Sequence, residues 1–118
     1  MASRNVANIY VNPVADNFLK SEGGVTIVTE NKNAFGVESK IRIEKYNTTK
    51  KLWETSRALQ ASEGGLSPKS RDVSTLLNSY FFAQGVGKYR VYYEFYKITA
   101  KPFTTRLGVL TTSEFNIK

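Results

Sequence analysis

The stretch Lys88-Tyr89-Arg90-Val91-Tyr92-Tyr93-Glu94-Phe95-Tyr96-Lys97-Ile98 decides the fold. Tyr89, Val91, Tyr93 and Phe95 occupy alternate positions, and Arg90, Tyr92, Glu94 and Tyr96 occupy the intervening ones. Period two is the signature of a strand, because successive side chains leave the backbone on opposite faces. An antiparallel sheet with one face on a core and one in water needs this pattern. The alternation therefore predicts that Tyr89, Val91, Tyr93 and Phe95 point inward, leaving Arg90, Tyr92 and Tyr96 outside.

The same period recurs on both sides of this segment. From Ser39 to Tyr46, Ile41 and Ile43 share a face with Val37, while Glu38, Lys40, Arg42 and Glu44 share the other. Asn47-Thr48-Thr49-Lys50 reads as a polar turn, and the following run from Lys51 to Leu59, with Leu52 and Trp53, completes a hairpin. Val25 to Thr29 is β-branched throughout and apolar on both faces, which predicts a central strand. Ile9 and Val11 before Pro13 make a weaker strand, and Phe115 and Ile117 alternate with Glu114 and Asn116 at the end. Pro102 ends the Lys88–Ile98 strand or marks an edge connection.

Gln60 to Ser70, with Gly64-Gly65 and Pro68, reads as a loop. Beyond it the chain is ambiguous between residues 72 and 84. Val73, Leu76, Leu77, Tyr80 and Phe81 have helical spacing, with Asp72 able to cap the start and Gly85 the end. The same residues allow a short strand from Arg71 to Thr75 and then a helical turn, which supplies the crossover a sandwich needs. The expected architecture is one all-β domain, residues 1–118: an antiparallel β-sandwich of about seven strands. Its core should hold Ile27, Ile41, Ile43, Trp53, Tyr89, Val91, Tyr93, Phe95, Phe115 and Ile117.

Composition excludes much chemistry. The chain has 118 residues, a net charge of +7, no His and no Cys. Without them there is no thiol nucleophile, no Ser-His-Asp triad, no imidazole base, no zinc finger and no disulfide. No apolar run approaches the roughly 20 residues a membrane-spanning helix needs. Met1 to Phe18 lacks a charged segment followed by an apolar one, so no signal peptide is expected there.

The run Gly85-Val86-Gly87-Lys88-Tyr89-Arg90-Val91 carries a further hint. In immunoglobulin-type sandwiches a Tyr near the start of strand F bonds back to the backbone, two residues before a position facing the opposite sheet. Together with Glu44-Lys45-Tyr46, Trp53 and the closing Ser113-Glu114-Phe115-Asn116-Ile117, this run resembles the bacterial immunoglobulin-like domains of Gram-positive secreted and cell-surface proteins. The resemblance spans roughly residues 25–117. It implies an immunoglobulin-like fold, a non-enzymatic role in adhesion, spacing or inhibition of a partner, and a secreted or cell-surface location with this chain as the mature segment. A cytoplasmic location is the alternative. The chain departs from antibody domains in lacking the cysteine pair and in carrying Trp53 late.

The remaining motifs are weak. Gly85, Gly87 and Lys88 lack the spacing of a phosphate-binding loop or a dinucleotide fingerprint. Glu44 and Glu54 could face one another across a hairpin as a hydrolase pair, but nothing supplies convergent partners. A calcium site wants clustered Asp and Asn, and only two Asp are present, so neither metal nor cofactor is expected. The positive charge is spread along the chain with no basic block, which disfavours a dedicated nucleic-acid binder; a β-barrel binding single strands remains an alternative. The best lead is the outer face of two neighbouring strands. Lys40, Arg42, Arg90, Tyr92 and Tyr96 would lie together there, cations beside aromatics, able to take a protein, a glycan or an anionic wall polymer.

Overall fold

The computed structural model describes residues 4–81 and 85–118, with side chains defined outside 59–65 and 78–79. Among the described residues ten strands form in chain order: β1 (Arg4–Val6), β2 (Ile9–Pro13), β3 (Asn17–Phe18), β4 (Gly24–Asn31), β5 (Val37–Asn47), β6 (Leu52–Leu66), β7 (Ser70–Leu77), β8 (Gly87–Lys97), β9 (Thr105–Thr111) and β10 (Phe115–Ile117). They build two sheets. One has the order β1-β2-β4-β7 and the other β3-β10-β8-β5-β6, with β9 also pairing with β8. Antiparallel pairs dominate both sheets, so the chain is an all-β sandwich. The strand number exceeds seven because the first 18 residues contribute three short strands, of which β3 crosses to the second sheet and runs parallel to β10.

The core forms where the inward alternates of the two sheets meet. Ile9, Val11, Val25 and Ile27 come from one sheet; Val37, Ile41, Ile43, Tyr89, Val91, Tyr93, Phe95, Phe115 and Ile117 come from the other. All are buried, so the inward assignment from position 89 onward holds. Strand β4 is central, between β2 and β7, although its second face is half-buried rather than enclosed.

Three local devices hold the sandwich. The Tyr89 hydroxyl donates to the carbonyl oxygens of Gly85 at 2.8 Å and Phe81 at 3.2 Å, closing the corner before β8. Its ring meets Phe81 edge-on at 5.1 Å. Where β9 ends before β10, the Thr112 hydroxyl accepts from the Val91 N–H at 3.0 Å and so replaces a missing ladder bond. At the β5–β6 bulge the Ser56 hydroxyl donates to the Ile43 carbonyl at 3.2 Å, which satisfies a group the extra residue displaces.

The structure corrects three sequence expectations. Strand β6 runs on to Leu66, so the loop expected from Gln60 to Ser70 contracts to a turn between β6 and β7. The pairing of β5 with β6, from Ser39 and Lys40 opposite Ala61 and Gln60, supplies partners that local composition does not reveal. Trp53 leaves the core: it pairs with Tyr46, which lies in phase with Arg42 and Glu44 on the outer face. Glu38 is buried, its carboxylate accepting the Phe103 N–H at 2.6 Å instead of facing water. In the ambiguous stretch, β7 is followed by a 3-10 turn at Asn78–Phe81, the strand-then-turn arrangement; residues 82–84 lie outside the described residues.

Candidate binding face

The outer face of β5 and β8 gathers all five candidate residues. The pairing sets Glu44 opposite Arg90, Arg42 opposite Tyr92, Lys40 opposite Glu94 and Glu38 opposite Tyr96. Directly paired residues share a face, so Lys40, Arg42, Arg90, Tyr92 and Tyr96 form two adjoining columns on one surface. Strand β6 extends these rows with Trp53, Thr55 and Ala58, and β9 extends them with Thr111 and Val109.

On this surface cations sit over rings. The Arg42 guanidinium lies 4.1 Å from the Tyr92 ring centre and that of Arg90 lies 4.2 Å from Trp53. The Lys88 ammonium is 5.3 Å from Tyr46, and that of Lys40 is 5.5 Å from both Tyr96 and Phe103. Tyr46 and Trp53 meet edge-on at 5.3 Å. Each stack joins a cation to the negative face of a π system, worth about 0.5–1 kcal/mol at exposed sites.

Carboxylates tie the array together. Arg90 donates to Glu44 at 2.7 Å, a pair whose side chains are 30% and 12% exposed and therefore sheltered from solvent screening. Lys88 and Glu114 form a looser, half-exposed pair at 3.5 Å. Glu94 accepts from the hydroxyl of Tyr96 and, at 3.4 Å, from that of Tyr92. The Tyr96 hydrogen bond, with help from Arg106 and Lys40, holds the Glu94 carboxyl below its ordinary range, and the same bond pushes the Tyr96 hydroxyl up.

Tyr96 faces outward, as the alternation requires, yet it is only 7% exposed. The β8–β9 connection folds back over it: Phe103 meets the Tyr96 ring edge-on at 5.6 Å and its N–H is held by Glu38. Tyr96 is thus a support under one end of the face, not a contact residue. Tyr46, Trp53, Lys88 and Phe103 also belong to this surface and were not evident from the sequence. Continuing the alternation to positions 46 and 88 would have found two of them; Trp53 depends on hairpin register, and Phe103 on a loop.

The two glutamates considered as a hydrolase pair are not brought together. Glu44 opposes Thr55 and binds Arg90 on the outer face. Glu54 opposes Lys45, one step out of phase, where it accepts from Asn47 at 2.9 Å and pairs with Lys50 at 3.6 Å. The depression lined by Lys45, Glu54, Thr55 and Ser56 holds one carboxylate and opens to solvent. Among the described residues no group of three or more Asp or Glu could hold a metal ion, and no helix is long and apolar enough to cross a membrane. No protein-family model matches the chain, and no curated protein or solved structure is significantly similar to it.

Proposed function

We propose that the chain is a non-catalytic binding module of a secreted or cell-surface protein, making contact through the outer face of β5 and β8. One observation carries this reading: Lys40, Arg42, Lys88 and Arg90 each lie over an aromatic ring on a single sheet surface. A sheet exterior that only needs solubility does as well with dispersed Lys, Glu and Thr. Aromatic rings held between cations present flat apolar area at low entropic cost, with charge at the margins, which suits recognition. The resemblance to bacterial immunoglobulin-like domains supports the location and the absence of catalysis.

The test is a double substitution, Tyr92→Ala with Trp53→Ala, assayed on isolated Gram-positive cell walls and on an array of extracellular proteins. The expected result is binding by the wild-type protein that the double variant loses while its melting temperature stays within a few degrees. Binding that survives the double substitution removes this face from consideration.

A further inference from the structure

Resting on that reading, we infer that the partner is a protein presenting a carboxylate side chain to Arg42, which anchors the centre of the face. Arg42 is exposed and lies in a row running Thr111, Tyr92, Arg42, Ala58 across β9, β8, β5 and β6. Its neighbour Ala58 on β6 is small, so another chain can approach the guanidinium closely from that side.

The other cations of the face have carboxylates beside them in the ladder or in an ion pair. Arg90 holds Glu44, Lys88 holds Glu114, and Lys40 stands directly opposite Glu94 in the β5–β8 ladder. Arg42 has only the Tyr92 ring; among the described residues no carboxylate pairs with it. Its N–H fork matches a carboxylate in bidentate fashion, and covering it without an opposite charge would strand a desolvated cation.

The surroundings select a protein over a polyanion. A chain of repeating phosphates or sulfates laid along β5 and β8 would meet Glu44 and Glu94 in the rows on either side of Arg42. One carboxylate among apolar and neutral groups avoids both. The half-buried residues Tyr92, Trp53 and Arg90 on the same face are also the types that dominate protein interfaces energetically.

The experiment selects phage-displayed random dodecapeptides on the wild-type protein and measures the enriched peptides against Arg42→Ala, Arg42→Lys and Trp53→Ala, with inorganic polyphosphate titrated in parallel. The expected peptides carry Asp or Glu and lose about tenfold or more when that residue becomes Asn or Gln. They lose as much on both Arg42 variants, because Lys keeps the charge but not the fork. Peptides that bind the Arg42 variants undiminished yet fail on Trp53→Ala overturn the anchor and leave the face standing. Peptides indifferent to all three variants overturn the face as well. Failure to enrich any peptide overturns the inference, and polyphosphate binding equally to wild type and Arg42→Lys would then assign a polyanion.

Discussion

Arg42 on β5 and Tyr92 on β8 are direct cross-strand partners, and the guanidinium of the first lies 4.1 Å from the ring centre of the second. The stack needs nothing from the core, so its energy should appear as pairwise coupling. A double-mutant cycle of Arg42→Ala and Tyr92→Ala in urea unfolding is expected to give about 0.5–1 kcal/mol. A coupling of zero would mean that the two side chains do not meet in solution.

The corner before β8 should depend on one hydroxyl. Tyr89→Phe keeps the ring against Phe81 and removes the donor that serves Gly85 and Phe81. The expected loss is about 1 kcal/mol of unfolding free energy. Phe81→Ala, which empties a fully buried site, should cost about 3–5 kcal/mol. Equal stability of Tyr89→Phe and wild type would show that the corner closes without the hydrogen bond.

A single buried amide pins two connections. Asn31, fully buried, donates to the carbonyls of Phe35 at 2.8 Å and Ser67 at 3.2 Å and accepts the Asn33 N–H at 3.0 Å. Asn31→Asp keeps the acceptor but turns the donor into a second acceptor facing carbonyls. A loss of about 2–3 kcal/mol or more at neutral pH is expected, read by thermal or chemical unfolding. A neutral outcome would contradict the hydrogen-bond assignment.

The Glu94–Tyr96 bond makes stability depend on pH at both ends of the scale. The Glu94 pKa is lowered in the folded state, so its contribution is fully present above the ordinary carboxylate range and is lost as pH falls through the folded value. The Tyr96 pKa is raised, so its contribution is present below the ordinary phenol range and is lost as pH rises through the folded value. Melting temperature against pH should therefore fall more gently at the acid end for Glu94→Gln than for wild type, and at the alkaline end for Tyr96→Phe. Parallel curves would refute the linkage.

The sandwich was legible because its inward residues obey local alternation. Val37, Ile41, Ile43, Tyr89, Val91, Tyr93 and Phe95 are placed by period alone, and all are buried. What alternation does not encode is pairing between distant segments. Trp53 looked like core because it is large and apolar, yet hairpin register sets it beside Tyr46, and its cover is Arg90 from a strand far along the chain. Glu38 and Tyr96 looked solvated for a matching reason: their outward direction is local, but the Phe103 loop that buries them is not. Arg42, Arg90 and Tyr92 were readable because regular β5–β8 pairing carries each strand's phase across to the next.

Trp53 is the only tryptophan in the chain and is half-exposed beneath Arg90, so its fluorescence reports directly on the proposed contact surface. The decisive measurement is acrylamide quenching of Trp53 with and without a bound ligand, either a selected peptide or isolated cell wall. Ready quenching is expected in the free protein, and clear protection when the ligand is bound. Saturating ligand that leaves the quenching unchanged would place the binding surface elsewhere.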